Sequence, residues 1–112
     1  MLYAKLILLG MLQVTAYRAV PAQTKPECKN RDHCYTATGD TPSEQGIAVS
    51  QDLLLSGKVR YGDVLYVEGI GYRIVNDCMN VRLHNAVDIF VYTKAEEHKI
   101  KVRHSKVYLL RG

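Results

Sequence analysis

The sequence predicts a mainly β protein built as a small six-stranded barrel with one or two very short helices. Short runs rich in valine, isoleucine, leucine and tyrosine recur along the chain, bounded by glycine, proline or asparagine. No stretch leaves room for the full crossover helices of a βαβ sheet, so closure of the strands on themselves is the economical way to remove exposed edges. At 112 residues the chain is long enough for one hydrophobic core and too short for two.

Taken in order, Leu12–Tyr17 carries strand-forming residues. Residues 18–45 are polar and punctuated by Pro21, Pro26, Pro42 and Gly39, a long connection of the kind that carries binding surfaces in compact domains. Ile47–Ser50 reads as a second strand, followed by a single helical turn over Leu53–Ser56 that Ser50 or Asp52 can cap and Gly57 ends. Tyr61-Gly62-Asp63 marks a turn before a strand at Val64–Val67, and Gly69-Ile70-Gly71 another before Tyr72–Val75. Val87–Tyr92 is a fifth strand with Asp88 as its only charge. Thr93-Lys-Ala-Glu96 has the spacing of a capping box, with Thr93 accepting an amide bond and Glu96 reaching back. Val107–Leu110 closes the set as a sixth strand, and the basic alternation from Lys99 to Lys106 fits the solvated face of a strand.

Residues 1–13 form an N-terminal segment that reads either as a secretory leader or as the lead-in to the first strand, with the barrel at 14–112. The apolar run within 2–12 is too short to span a bilayer. The net charge of +4 mildly favours an anionic partner, but the basic residues do not interleave with aromatic ones along a strand pair, which argues against a nucleic-acid surface. Eight tyrosines, one phenylalanine and no tryptophan suit a barrel whose interior opens onto a polar groove. Cys28, Cys34 and Cys78 leave one thiol over if a disulfide forms, Cys28–Cys34 and Cys34–Cys78 being the pairs considered. Cys28 and Cys34, with His33 between them, lack the short spacing of a zinc site, and no cofactor signature is present.

Two of the eleven carboxylates, Asp77 and Asp88, lie within or at the end of apolar strands. Desolvation there raises a carboxyl pKa, which is how a general acid is prepared near neutral pH. The plainer role for Asp77 is to accept amides of the turn at Cys78–Asn80 and stay ionised.

The ordered segments Val14-Thr-Ala-Tyr17, Tyr35-Thr-Ala-Thr-Gly39, Gly46-Ile-Ala-Val49, Tyr61-Gly-Asp-Val-Leu-Tyr-Val-Glu-Gly69, Ile74-Val-Asn-Asp77-Cys-Met-Asn80 and Ala86-Val-Asp88-Ile-Phe90 resemble the 3D (three-aspartate) domain over nearly the whole chain. That family has a double-psi β-barrel and is related to membrane-bound lytic transglycosylase A and, more distantly, to rare lipoprotein A and the expansins. The resemblance places the family's second and third aspartates on Asp77 and Asp88, and its first on Ser50, where the carboxylate is missing; Asp52 stands two residues on.

The resemblance implies a peptidoglycan-active protein that cleaves between N-acetylmuramic acid and N-acetylglucosamine, with Asp77 as acid and base and Asp88 tuning it or orienting sugar. It implies glycan strands as the ligand, with Thr15, Tyr17, Tyr35, Thr36, Thr38, Ser50, Asp52, Met79 and Asn80 as candidate contacts. It further implies a periplasmic, secreted or phage-borne location and leaves room for a partner protein that completes a shallow cleft. The alternative is a non-catalytic glycan-binding or structural module, which the loss of the Ser50-position aspartate favours.

Overall fold

The computed structural model describes residues 4–18, 37–39, 43, 45–100 and 103–112. The elements are β1 (Lys5–Tyr17), β2 (Gly46–Val49), α1 (Gln51–Leu55), β3 (Val64–Val67), β4 (Gly71–Cys78), β5 (Ala86–Phe90), α2 (Lys94–Ile100) and β6 (Arg103–Arg111). The six strands close in the order β1-β5-β2-β4-β3-β6. Pairs β1–β5 and β2–β4 are parallel and the other four are antiparallel, a mixed barrel consistent with the double-psi type. The expected fold class is therefore the one found.

Period-2 alternation explains the interior. Val14, Ile47, Val49, Leu65, Val67, Val75, Val87, Ile89, Val107 and Leu109 are buried and form one core with Leu12, Leu53 and Val59. β-branched residues dominate it, as befits side chains that pack on a pleated surface without losing much rotamer freedom.

Several elements depart from the sequence reading, among them β6, which begins at Arg103 and not at Val107, and α2, which takes in Lys99 and Ile100. β1 begins at Lys5, because Leu6–Leu8 have partners in β6, where Leu6 faces Leu110 and Leu8 faces Tyr108. β4 runs on to Cys78, so Asp77 sits in a strand and not before a turn. The hydroxyl of Ser50, at the N-cap of α1, makes no capping bond; Ser50 Oγ instead accepts the Ala86 amide at 3.0 Å, in a position with no solvent exposure. The capping box forms as expected: Thr93 Oγ1 accepts the Glu96 amide at 3.1 Å and Glu96 Oε1 accepts the Thr93 amide at 3.0 Å. Most of the 18–45 connection, including Cys28, His33, Cys34, Tyr35 and Thr36, lies outside the described residues.

Candidate functional site

Strand register brings the two aspartates to one place. Ala48 on β2 stands opposite Asp77 of β4 on one side and Asp88 of β5 on the other, and Asp88 in turn stands opposite Thr15 of β1. The result is a row across four strands, Thr15–Asp88–Ala48–Asp77. The neighbours of Thr15, Asp88 and Ala48 along their strands, Val14, Val87, Ile89, Ile47 and Val49, are core residues, so these three take the opposite face, where Ala48 and Asp77 are themselves buried. Two strand spacings separate the aspartate backbones, roughly 10 Å. Ala48 carries only a methyl group between them.

The two carboxylates live in different surroundings. Asp77 Oδ1 accepts the amides of Ala37 at 3.0 Å and Cys78 at 2.9 Å. A register shift at Ile47/Ala48 lets β4 bulge at Asn76, whose carbonyl accepts the Thr38 amide at 3.2 Å, so Ala37 and Thr38 are pinned beside Asp77. Gly46 leaves room there for the Asn76 side chain: a Cβ would stand 2.5 Å from Asn76 Nδ2, so that side chain would have to move.

Asp88 Oδ1 accepts one bond, from Thr15 Oγ1 at 2.8 Å. Burial pushes its pKa up from 3.8 to about 6; the Thr15 hydroxyl acts against the rise, and the negative charges of Asp77 and Glu97 add to it. Glu97, in the first turn of α2, also pairs with Arg18 at 3.3 Å.

Beyond Asp88, Tyr17 stands opposite Phe90, with ring centroids 5.5 Å apart at 71°. Tyr92 meets Phe90 edge-on at 5.0 Å and is itself well exposed. On the Asp77 side, the Tyr61 hydroxyl is pushed up to about 12, first by desolvation and then by its hydrogen bond and charge interaction with Cys78 and by the charge of Asp77. Cys78 is a free, half-buried thiol, so the Cys34–Cys78 pairing is not made.

Of the residues expected at the site, Thr15, Tyr17, Thr38, Asp77 and Asp88 gather around this row. Ser50 and Asp52 follow β2, and Met79 and Asn80 follow β4, with several of their polar groups engaged by the chain, although Asp52 Oδ1 is buried without a hydrogen-bond partner among the described residues. Asp52 Oδ2 accepts the Asn85 amide at 3.1 Å, the Met79 carbonyl accepts Gln51 Nε2 at 3.1 Å, and Asn80 Oδ1 accepts the Arg82 amide at 2.9 Å. Burial opposes ionisation of Asp52, but the Ser50 hydroxyl and the Asn85 amide outweigh it and, with a contribution from His84, hold its pKa below the ordinary value. Tyr35 and Thr36 fall outside the described residues.

Ala48, Tyr61, Phe90, Tyr92 and Glu97 were not anticipated. Glu97 alone had a local signal, since the Thr93 capping box places it in the first turn of α2. The others are brought in by strand pairing. Among the described residues no three His, Cys, Asp or Glu side chains come together as a metal site, and no helix is long and apolar enough to cross a membrane.

No protein family and no curated protein matches this chain at the level of sequence. The barrel class thus rests on strand order and register. It is a fold compatible in general with glycan-binding and lytic-transglycosylase modules.

Proposed function

We propose that this barrel belongs with the 3D-like double-psi domains and cleaves peptidoglycan glycan strands, with Asp88 as its proton-transferring group. The observation that carries the reading is the row Thr15–Asp88–Ala48–Asp77, in which one carboxyl has its pKa raised to about 6 beside a second carboxylate. A carboxyl raised by burial in this way is a candidate general acid. In this reading the roles are exchanged from those the sequence suggested: Asp88, raised first by burial and further by the charges of Asp77 and Glu97, is the acid, and Asp77, whose Oδ1 accepts two amides, is its neighbour.

In the proposed reaction Asp88 gives its proton to the glycosidic oxygen as the bond from C1 of N-acetylmuramic acid to that oxygen breaks. The C6 hydroxyl oxygen of the same sugar bonds to C1, and its proton passes to the Asp88 carboxylate, which restores the acid. One carboxyl closes this cycle with no activated water, whereas hydrolysis by the usual route needs two groups in matched positions. Serine at position 50 is compatible with that economy. Thr15 orients Asp88, and Tyr17, Phe90 and Tyr92 offer ring surface beside it for a sugar face. Peptidoglycan as substrate implies action in the periplasm, outside the cell or from a phage particle, and a partner protein would extend the shallow surface.

Solubilisation of insoluble peptidoglycan across the pH range tests the reading. Release by the parent that falls as pH rises through about 6, and is lost in Asp88→Asn, supports it. Sedimentation of the protein with peptidoglycan and no release at any pH would replace it by the non-catalytic binding module.

A further inference from the structure

Two arginines converge on the turn between β3 and β4. Arg73 lies on β4 in the same alternation as the buried Val75, and Arg103 lies on β6 in the same alternation as the buried Ser105 and Val107. Both side chains therefore follow the inward face to the end of the barrel instead of leaving its wall. Two glycines make space for them there. A Cβ at Gly69 would stand 2.9 Å from Arg103 Nη2, and one at Gly71 would stand 3.6 Å from Arg73 Nη1. Gly69 also has a φ of +84°, which a side chain would strain. The two glycines are within roughly 7 Å of each other along the chain.

The chain leaves both charges uncompensated. A guanidinium carries five N–H donors. Among the described residues each of these two gives one hydrogen bond, and to a neutral carbonyl: Arg73 Nη1 to Tyr72 at 2.7 Å and Arg103 Nη2 to Glu68 at 3.4 Å. Among the described residues neither is ion-paired; Glu68 lends its carbonyl alone, while Arg18 is the arginine that pairs, with Glu97. Three buried side-chain polar atoms lack a partner among the described residues, and two of them are Nε of Arg73 and Nε of Arg103. Buried donors on a charged group are costly to leave unmade, and two like charges beside one turn repel.

We infer that Arg73 and Arg103 form a binding site for a phosphate group at the β3–β4 turn. Planar guanidinium forks match the oxygens of such a group, and two positive charges match the roughly −1.5 to −2 that a phosphate monoester carries at pH 7. A carboxylate offers one charge and two oxygens in a plane, which a single guanidinium satisfies. Access is from the side of Glu68 and Gly69, both exposed, while Ile70 packs on the core and closes the barrel beneath. The turn stands at the opposite end of β4 from Asp77. The phosphate site is thus separate from the Thr15–Asp88–Ala48–Asp77 row and holds whether or not that row cleaves glycan.

Titration of the full chain with inorganic phosphate replacing chloride at constant ionic strength tests this, read by nitrogen–proton resonances. Saturable shifts are expected at Nε–H of both arginines and at the Gly69 and Gly71 amides, and not at Gly62 in the exposed turn before β3. Arg73→Gln and Arg103→Gln should each weaken binding at least about tenfold. Arg60→Gln, the same charge change at an exposed arginine, should leave it unchanged. Arg103→Lys, which keeps the charge without the fork, should fall between. Phosphate should also raise the thermal midpoint of the parent by linkage, and raise those of the two glutamine variants less. Cosedimentation with phosphatidylcholine vesicles, with and without phosphatidylglycerol, separates the sources of the phosphate. Binding to the anionic vesicles that is lost in the same variants assigns it to a lipid headgroup; a phosphate-saturable parent that ignores vesicles assigns it to a soluble phosphate, and either result upholds the site. Shifts that never saturate, equal binding of acetate, or equal weakening by Arg60→Gln would each overturn the inference.

Discussion

Replacing Asp88 by asparagine should make the protein more stable at alkaline pH and leave it nearly unchanged at acid pH. The native pKa of about 6 stands above the ordinary 3.8. Between those values the folded chain holds more protons than the unfolded one, so stability falls as pH rises through the window. Below 3.8 the group is protonated in both states and contributes nothing; above about 6 the full penalty is present, about 3 kcal/mol at 1.36 kcal/mol per pH unit. Asparagine keeps the shape and an oxygen that can accept the Thr15 hydroxyl, yet it never ionises. Urea unfolding of parent and variant at matched pH therefore gives a difference near zero at about pH 4 that grows toward 3 kcal/mol at about pH 8. Other titrating groups cancel in that difference. A pH-independent difference, or a variant less stable than the parent at high pH, would refute the claim that burial beside Asp77 raises Asp88.

Further expectations follow from the same geometry. Asp77→Asn removes a negative charge that helps keep the proton on Asp88, so the pH midpoint of Asp88, followed by carboxyl carbon resonance, should move down toward 3.8; an unmoved midpoint would deny the coupling. Ser50→Ala leaves the buried Ala86 amide without its acceptor and should cost about 1–3 kcal/mol in urea unfolding, whereas a surface-like change of a few tenths would mean that the bond contributes little. Gly46→Ala displaces the Asn76 side chain beside the β4 bulge and should destabilise by about 1–3 kcal/mol, with slowed peptidoglycan release if Asp77 shifts with it. Thr93→Ala removes the capping box and should cost about 1 kcal/mol, detectable as faster amide exchange in α2.

The parts of this fold that were legible in sequence are those whose signals are local. Val64–Val67 alternates between flanking glycines and emerges with the same bounds, and the Thr93–Glu96 spacing is sufficient in itself to predict the start of a helix. β4 reads as ending at Val75 because Asn76 and Asp77 break the apolar pattern; the strand continues because parallel pairing with β2 absorbs the extra residue as a bulge. Leu6–Leu9 read as a leader or lead-in because a continuous apolar run has no period, and only the β6 partner marks it as strand. The site shows the same division. Asp77 and Asp88 stand out as carboxylates in apolar strands, but the rise in the Asp88 pKa comes from burial and charges that the sequence does not display. Ala37 lies far along the chain from Asp77, Glu97 acts from another element, and Ala48 matters only because β2 lies between β4 and β5.

The chemistry itself is tested most directly by the ends of the glycan fragments released from isolated peptidoglycan, read by mass for parent and Asp88→Asn protein. The account predicts anhydro-muramic acid ends from the parent and none from the variant. Reducing muramic acid ends would show that water and not the C6 hydroxyl is the nucleophile, and an absence of fragments from a folded, peptidoglycan-bound parent would contradict the assignment of an enzyme.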